Sequence, residues 1–187
     1  MISYSELKTG VKIILEGEPY EIIESAPMFK ARGKSVLKTR IKNLKTGNVI
    51  SRTFRPSDTF EEAEISKRKV KFLYSHKERY FFSEENDPSK RFDLTAEQIG
   101  QKKDFLKQNQ IIEALVFQGK IINIVLPIKI NLKVTETPPG IRGGRAEAGT
   151  KPATLESGAK INVPIFIEVG DIIEINTETG EYVKRIE

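Results

Sequence analysis

Ile128-Lys129-Ile130-Asn131-Leu132-Lys133-Val134-Thr135 alternates apolar and polar residues without a break. Successive side chains of a strand point to opposite faces, so this period of two specifies a β-strand with one face on a core. The same reading extends in both directions. Downstream, residues 161–169, 172–176 and 181–186 read as strands. Thr177-Glu178-Thr179-Gly180 is the turn between the last two, with Gly180 where a hairpin needs a positive φ. Upstream of Pro127, residues 110–117 and 121–125 form a hairpin across Gln118-Gly119-Lys120. Residues 70–74 and 79–82 form another around the polar turn Ser75-His76-Lys77-Glu78.

One short helix interrupts the strands. Thr95 is a good N-cap, Gln98 completes a capping box, Leu94 and Ile99 make a staple, and Ile99, Phe105 and Leu106 supply a partial apolar face. Nearer the N-terminus, residues 11–15, 20–25, 35–44 and 49–54 are β-type runs separated by Glu16-Gly17-Glu18-Pro19 and Lys45-Thr46-Gly47-Asn48. Glu61, Glu62 and Glu64 read as a solvated boundary. The expected fold is all-β: three small barrels, at residues 1–64, 65–126 and 127–187. Closure into barrels removes exposed sheet edges. The pattern alone does not separate an SH3-like barrel from an OB fold, and shows no clear internal repeat.

Composition narrows the chemistry. The 187 residues include no cysteine and one histidine, His76. Disulfides, thiolate catalysis and cysteine-held metal are therefore excluded, and a Ser-His-Asp triad or two-histidine metal site has little to draw on. His76 reads as a solvated turn residue. No carboxylate pair stands out as an acid–base couple. The reading is a non-enzyme with no catalytic residue, no metal and no cofactor. The N-terminus lacks a signal pattern, and no apolar run approaches the ~18 residues that span a bilayer. A cytoplasmic protein without a membrane partner is expected.

The charge distribution points to a polyanion. The net charge is +5, yet between Glu24 and Asp58 there is no acidic residue and there are nine basic ones. They are Lys30, Arg32, Lys34, Lys38, Arg40, Lys42, Lys45, Arg52 and Arg55. A surface normally mixes signs, and phosphate is the commonest partner of a one-sided block. At its centre, Phe29-Lys30-Ala31-Arg32-Gly33-Lys34-Ser35 reads as a projecting hairpin tip. Gly33 permits the bend, and the cations extend on flexible stems. Gly33-Lys34-Ser35 imitates the end of a phosphate-binding loop, but Met28 stands where that motif needs glycine and no strong helix follows. Gly140-Ile141-Arg142-Gly143-Gly144-Arg145 offers backbone N–H groups and two arginines to phosphates, without the Gly-Lys-Ser/Thr ending. Of the aromatics Phe72, Tyr74, Tyr80, Phe81, Phe82 and Phe92, alternation sends about half into the barrel; core packing is favoured over a base-stacking platform.

Several stretches resemble the elongation factor P family. They are Lys8-Thr9-Gly10-Val11-Lys12-Ile13, Leu15-Glu16-Gly17-Glu18-Pro19-Tyr20 and Arg40-Ile41-Lys42-Asn43-Leu44-Lys45-Thr46-Gly47. More specific still are Lys151-Pro152-Ala153-Thr154-Leu155-Glu156-Ser157-Gly158-Ala159, Val163-Pro164-Ile165-Phe166-Ile167 and the run from Asn176 to Arg185. The resemblance spans essentially the whole chain. It implies a KOW/SH3-like barrel followed by two OB folds in an L-shaped, tRNA-mimicking arrangement. It further implies a monomeric translation elongation factor that binds the 70S ribosome between P and E sites, contacting rRNA and P-site peptidyl-tRNA. The tip, Lys30, Arg32, Gly33 and Lys34, would reach the CCA end and relieve stalling at consecutive prolines. Lys38, Arg40, Lys42, Lys45, Arg52 and Arg55 would form the RNA-binding face. Arg142, Gly143, Gly144 and Arg145 would form the loop toward the small subunit and E site. The resemblance also implies a lysine- or arginine-modifying enzyme acting at the tip. Counting back from Arg40 places the modified position at Lys34; counting forward from Tyr20 places it at Arg32. Two departures stand out: the tip lacks the family's proline, and Gly143-Gly144-Arg145 replaces a Gly-Asp-Thr.

Overall fold

A computed structural model of the chain describes residues 1–29, 35–140 and 149–186. It contains three sheets. The first is built from β1 (Ile2–Ser3), β2 (Lys12–Leu15), β3 (Glu18–Phe29), β4 (Ser35–Asn43), β5 (Val49–Phe54) and β6 (Thr59–Glu62), in the order β1-β6-β2-β3-β4-β5. The second contains β7 (Ile65–His76), β8 (Arg79–Glu84), β9 (Arg91–Thr95), β10 (Ile111–Phe117) and β11 (Lys120–Val125), in the order β11-β10-β7-β8-β9. The third contains β12 (Lys129–Glu136), β13 (Thr150–Leu155), β14 (Lys160–Pro164), β15 (Ile172–Asn176) and β16 (Glu181–Ile186), in the order β14-β13-β12-β15-β16.

By packing, the chain divides into two compact units. One comprises Met1–Lys69, Leu94–Ile99 and Glu113–Ile124; the other comprises Val70–Asp93, Gly100–Ile112 and Val125–Glu187. In the first, Leu7, Ile13, Ile22, Leu37, Ile41, Phe54 and Phe60 fill the barrel interior. Phe54 and Phe60 meet edge-to-face at 4.7 Å. A second cluster joins Leu44 and Ala63 to Phe117 and Ile122. Beside it lies Asn123, buried at 3 % exposure. Its Nδ2 donates to the Lys45 carbonyl at 3.2 Å and the Gln98 carbonyl at 2.9 Å, and its Oδ1 accepts from the Ile124 N–H at 2.8 Å. A buried amide is tolerated when its donors and acceptor are occupied in this way.

In the second unit the alternation of β12 does what its sequence dictates. Ile130, Leu132 and Val134 are buried, with Ile130 opposite Ile175 and Leu132 opposite Ile173 on β15. Ile128 falls just before the strand and is 56 % exposed. The helix is short: α1 (Ala96–Ile99) passes directly into a 3-10 turn over Gly100–Phe105. Its capping box is formed, with Gln98 N–H on Thr95 Oγ1 at 3.2 Å and Thr95 N–H on Gln98 Oε1 at 3.0 Å. Ile99, Phe105 and Leu106 are buried.

Two expectations change, and one gains detail. Glu61 and Glu62 are solvated, as read, and also form the end of β6, opposite Ile14 and Ile13. The run 161–169 is a strand only as far as Pro164. There the Ile167 N–H turns back onto the Pro164 carbonyl at 3.1 Å, leaving Phe166 and Val169 about 60 % exposed. The run 20–25 is half of a strand that continues to Phe29.

Candidate nucleic-acid interface

The long β3 and its partner β4 form an arm. They pair in antiparallel register from Tyr20↔Asn43 to Phe29↔Ser35, with a bulge between Ile22 and Glu24. Past Ser25 every β3 residue is exposed, culminating in Phe29 at 84 %. At about 3.3 Å per residue, the last four residues carry the ladder roughly 13 Å farther along the strand axis. From Ala26 to Phe29, β3 has β4 on one side and no strand on the other among the described residues. That is where Pro27, which has no N–H to give a second neighbour, is tolerated. Lys30, Arg32, Gly33 and Lys34 follow Phe29 directly and lie outside the described residues. So do Arg142, Gly143, Gly144 and Arg145.

The remaining cations are set by strand alternation. Leu37, Thr39 and Ile41 of β4 face the core, so Lys38, Arg40 and Lys42 share the opposite face. Arg52 does not join them. It lies opposite Thr39, on the core-facing side of edge strand β5, and its carbonyl accepts the Thr39 hydroxyl at 3.0 Å. Lys45 sits in the β4–β5 loop, and Arg55 follows β5. The six cations therefore occupy both faces of the sheet and its end.

The fold also brings acids to a segment that has none of its own. Arg40 Nη1 meets Glu24 Oε1 at 2.6 Å, Lys45 Nζ meets Glu18 Oε1 at 3.4 Å, and Arg52 Nη2 meets Glu16 Oε1 at 3.7 Å. All six side chains are 40 % exposed or more. Pairs this open contribute little stability, so phosphate can replace the carboxylates at small cost. The side chains of Lys38, Lys42 and Arg55 have no acidic partner among the described residues. These pairings are invisible in the sequence, because Glu16, Glu18 and Glu24 precede the block and reach it only through strand register.

A second feature missed from sequence is Lys151. It is buried at 8 % exposure, and its ammonium donates to the Pro138 carbonyl at 2.7 Å. Thr137 Oγ1 donates to the Pro152 carbonyl at 3.0 Å, and a Cβ on Gly140 would lie 2.8 Å from the Ile165 carbonyl oxygen. The chain on either side of residues 141–148 is thereby pinned to β13 and to the turn after β14. The aromatics divide. Phe72 and Phe82 are buried, whereas Tyr74 is 48 % exposed and stacks on Phe81. His76 is exposed at the end of β7, and Lys77 and Glu78 make the turn with positive φ. No cluster of three or more metal-ligating side chains occurs among the described residues, and none of their helices is long and apolar enough to cross a membrane.

Comparison with known proteins accounts for this arrangement in one scheme. The family model for the elongation factor P KOW-like domain matches residues 3–60, that for its OB domain matches 65–124, and that for its C-terminal domain matches 130–185. Elongation factor P of Carboxydothermus hydrogenoformans is 39 % identical over 186 residues, covering 100 % of both chains. That of Thermotoga petrophila is 42 % identical over 185 residues, covering 99 % of this chain and 100 % of the relative. Among solved structures, eukaryotic translation initiation factor 5A from Methanococcus jannaschii shares the fold, with a TM-score of 0.50 over 66 % of this chain and 92 % of that one, at 16 % identity. Matched from end to end by relatives and in chain order by all three domain models, the chain belongs to the elongation factor P family and is a translation elongation factor with a KOW-like domain followed by OB domains.

Proposed function

We propose that this chain binds the 70S ribosome between the P and E sites and uses the β3–β4 arm to steady the CCA end of P-site peptidyl-tRNA. The ribosome performs the chemistry, and the factor works as a monomer in the cytoplasm with no active site of its own. Proline is a poor nucleophile with a fixed φ, and a nascent chain ending in proline sits badly in the reactive site. Holding the acceptor end in reactive geometry removes part of the entropic barrier to peptide-bond formation at consecutive prolines. The observation that carries this reading is the arm: a twelve-residue strand whose outer part leaves the barrel and leads straight into Lys30-Ala31-Arg32-Gly33-Lys34.

The three domains, at residues 1–64, 65–126 and 127–187, supply separate contacts in this reading. Lys38, Lys42 and Arg55 meet tRNA or rRNA phosphates first, and Arg40, Lys45 and Arg52 join when their carboxylates are displaced. Lys34, or Arg32 in the alternative alignment, is the effector and the position at which a modifying enzyme would extend the reach. Arg142 and Arg145 face the small subunit and bind backbone phosphate rather than reading bases.

A reconstituted translation of a Pro-Pro-Pro message tests the proposal. Adding the factor is expected to relieve the stall, and no relief with or without tip-modifying enzymes would overturn it. Lys34→Ala is expected to lower the relief at least tenfold while changing stability by less than about 0.5 kcal/mol, the usual limit for surface substitutions. Arg32→Ala, run beside it, identifies which cation is the effector. Intact-protein mass spectrometry of native material reads any added group at either residue.

A further inference from the structure

We infer that the outward face of the β7–β8–β9 sheet is a base-stacking site for unpaired RNA, with Tyr74 and Phe81 as its platform. A β-bulge argues for it. Val70 and Phe72 are buried on β7, and strict alternation would send Tyr74 into the same core. Instead the register shifts between Phe72 and Tyr74: Phe72 opposes Phe82, but Tyr74 opposes Phe81, so Leu73 is the extra residue. A bulge of this kind re-aims one side chain to the other face. It puts Tyr74 against Phe81, with ring centroids 4.7 Å apart and planes 21° apart, and leaves Tyr74 48 % exposed.

The surroundings suit a polyanion that carries flat rings. Lys71 lies opposite Ser83 on one side of the pair, and His76 lies opposite Arg79 on the other. Phe92 stacks on Phe82 in the core, so alternation turns Arg91 and Asp93 of β9 to the platform's face. Asp93 is held by Arg79 Nε at 2.8 Å. Lys71, Lys77 and Arg91 have no acidic partner among the described residues; Glu78 lies in the hairpin turn, and Asp104 and Glu156 line the cavity that Tyr74 borders. β7, β8 and β9 are the first three strands of the domain matched by the OB model, and OB folds take single-stranded ligands on the face of their second and third strands. Tyr74, exposed and stacked on the half-buried Phe81 with Lys71 and Arg91 beside them, fits stacked bases with flanking phosphates.

The inference rests on the ribosomal reading for where such RNA is met, but not for the binding itself. The test uses the full-length chain with a single-stranded oligouridylate 12-mer and, separately, 70S ribosomes, at several salt concentrations. Tyr74→Ala and Phe81→Ala are each expected to weaken 12-mer binding about tenfold with the salt slope unchanged, and Tyr74→Phe to restore it. Lys71→Ala is expected to lower the salt slope by about one. Because alanine at either ring also removes a cross-strand contact, Tyr74→Trp provides a second readout: the indole emission of that variant should be quenched when the 12-mer stacks. Unchanged affinity in folded Tyr74→Ala and Phe81→Ala, or unquenched emission from Tyr74→Trp under saturating 12-mer, would overturn the proposal. So would a photocrosslinker at position 74 that captures ribosomal protein and no RNA. If the chain relieves Pro-Pro-Pro stalling while the ring variants bind RNA normally, only this inference fails. If ring-dependent RNA binding persists without 70S binding, the site stands and the ribosomal reading fails.

Discussion

A single amide shows how residue chemistry holds the first unit together. Asn123 satisfies carbonyls from two distant segments, Lys45 in the β4–β5 loop and Gln98 in α1. An apolar replacement of similar size removes both donors and leaves buried acceptors without partners, at a cost of roughly 1–3 kcal/mol. Asn123→Leu is therefore expected to lower the denaturation midpoint clearly, whereas Asn123→Ser, which keeps a hydroxyl donor, is expected to lose less. Equal midpoints for Asn123→Leu and the unsubstituted chain would show that the amide is not a clamp. Nothing in the sequence around Asn123 marked it. Ile121-Ile122-Asn123-Ile124-Val125 reads as an apolar strand with one polar interruption, and only the partners from elsewhere in the chain give that interruption a role.

Elements with clean alternation were legible, and those whose pairing rests on distant partners were not. β5, β15 and β16 lie at residues 49–54, 172–176 and 181–186, as expected, because apolar spacing and a turn glycine bound them. β6 carries one apolar residue, Phe60, among Thr59, Glu61 and Glu62; only its place between β1 and β2 makes it a strand. The opposite error came from Ile165-Phe166-Ile167, apolar enough to imitate a strand yet folded as a turn with Phe166 under the Arg185 guanidinium at 5.8 Å. The basic block was visible in the sequence, but its division between two faces belongs to the β4–β5 register. A measurement can read that division. In the proposed ribosome complex, replacing Lys38 or Lys42 by alanine is expected to reduce the salt slope of binding by about one each. Arg52→Ala, on the other face and already paired with Glu16, is expected to change it less. Equal slopes for all three would contradict the face assignment.

Across the molecule, three short sheets do the work of one large core, and apolar clusters such as Leu44, Ala63, Phe117 and Ile122 link segments far apart in sequence. A reach of this kind has a hazard built into it. Beyond Ser25 the open side of β3 presents main-chain groups to solvent, ending in the exposed side chains of Met28 and Phe29. Such an edge is a template on which a second copy can add a strand. Pro27 withholds one donor from any incomer and props its ring in the way, so the same residue that fits a one-sided ladder also guards solubility. Pro27→Thr is expected to preserve the arm yet promote concentration-dependent association, visible by light scattering and by thioflavin fluorescence. A monodisperse Pro27→Thr would assign that protection to another part of the arm.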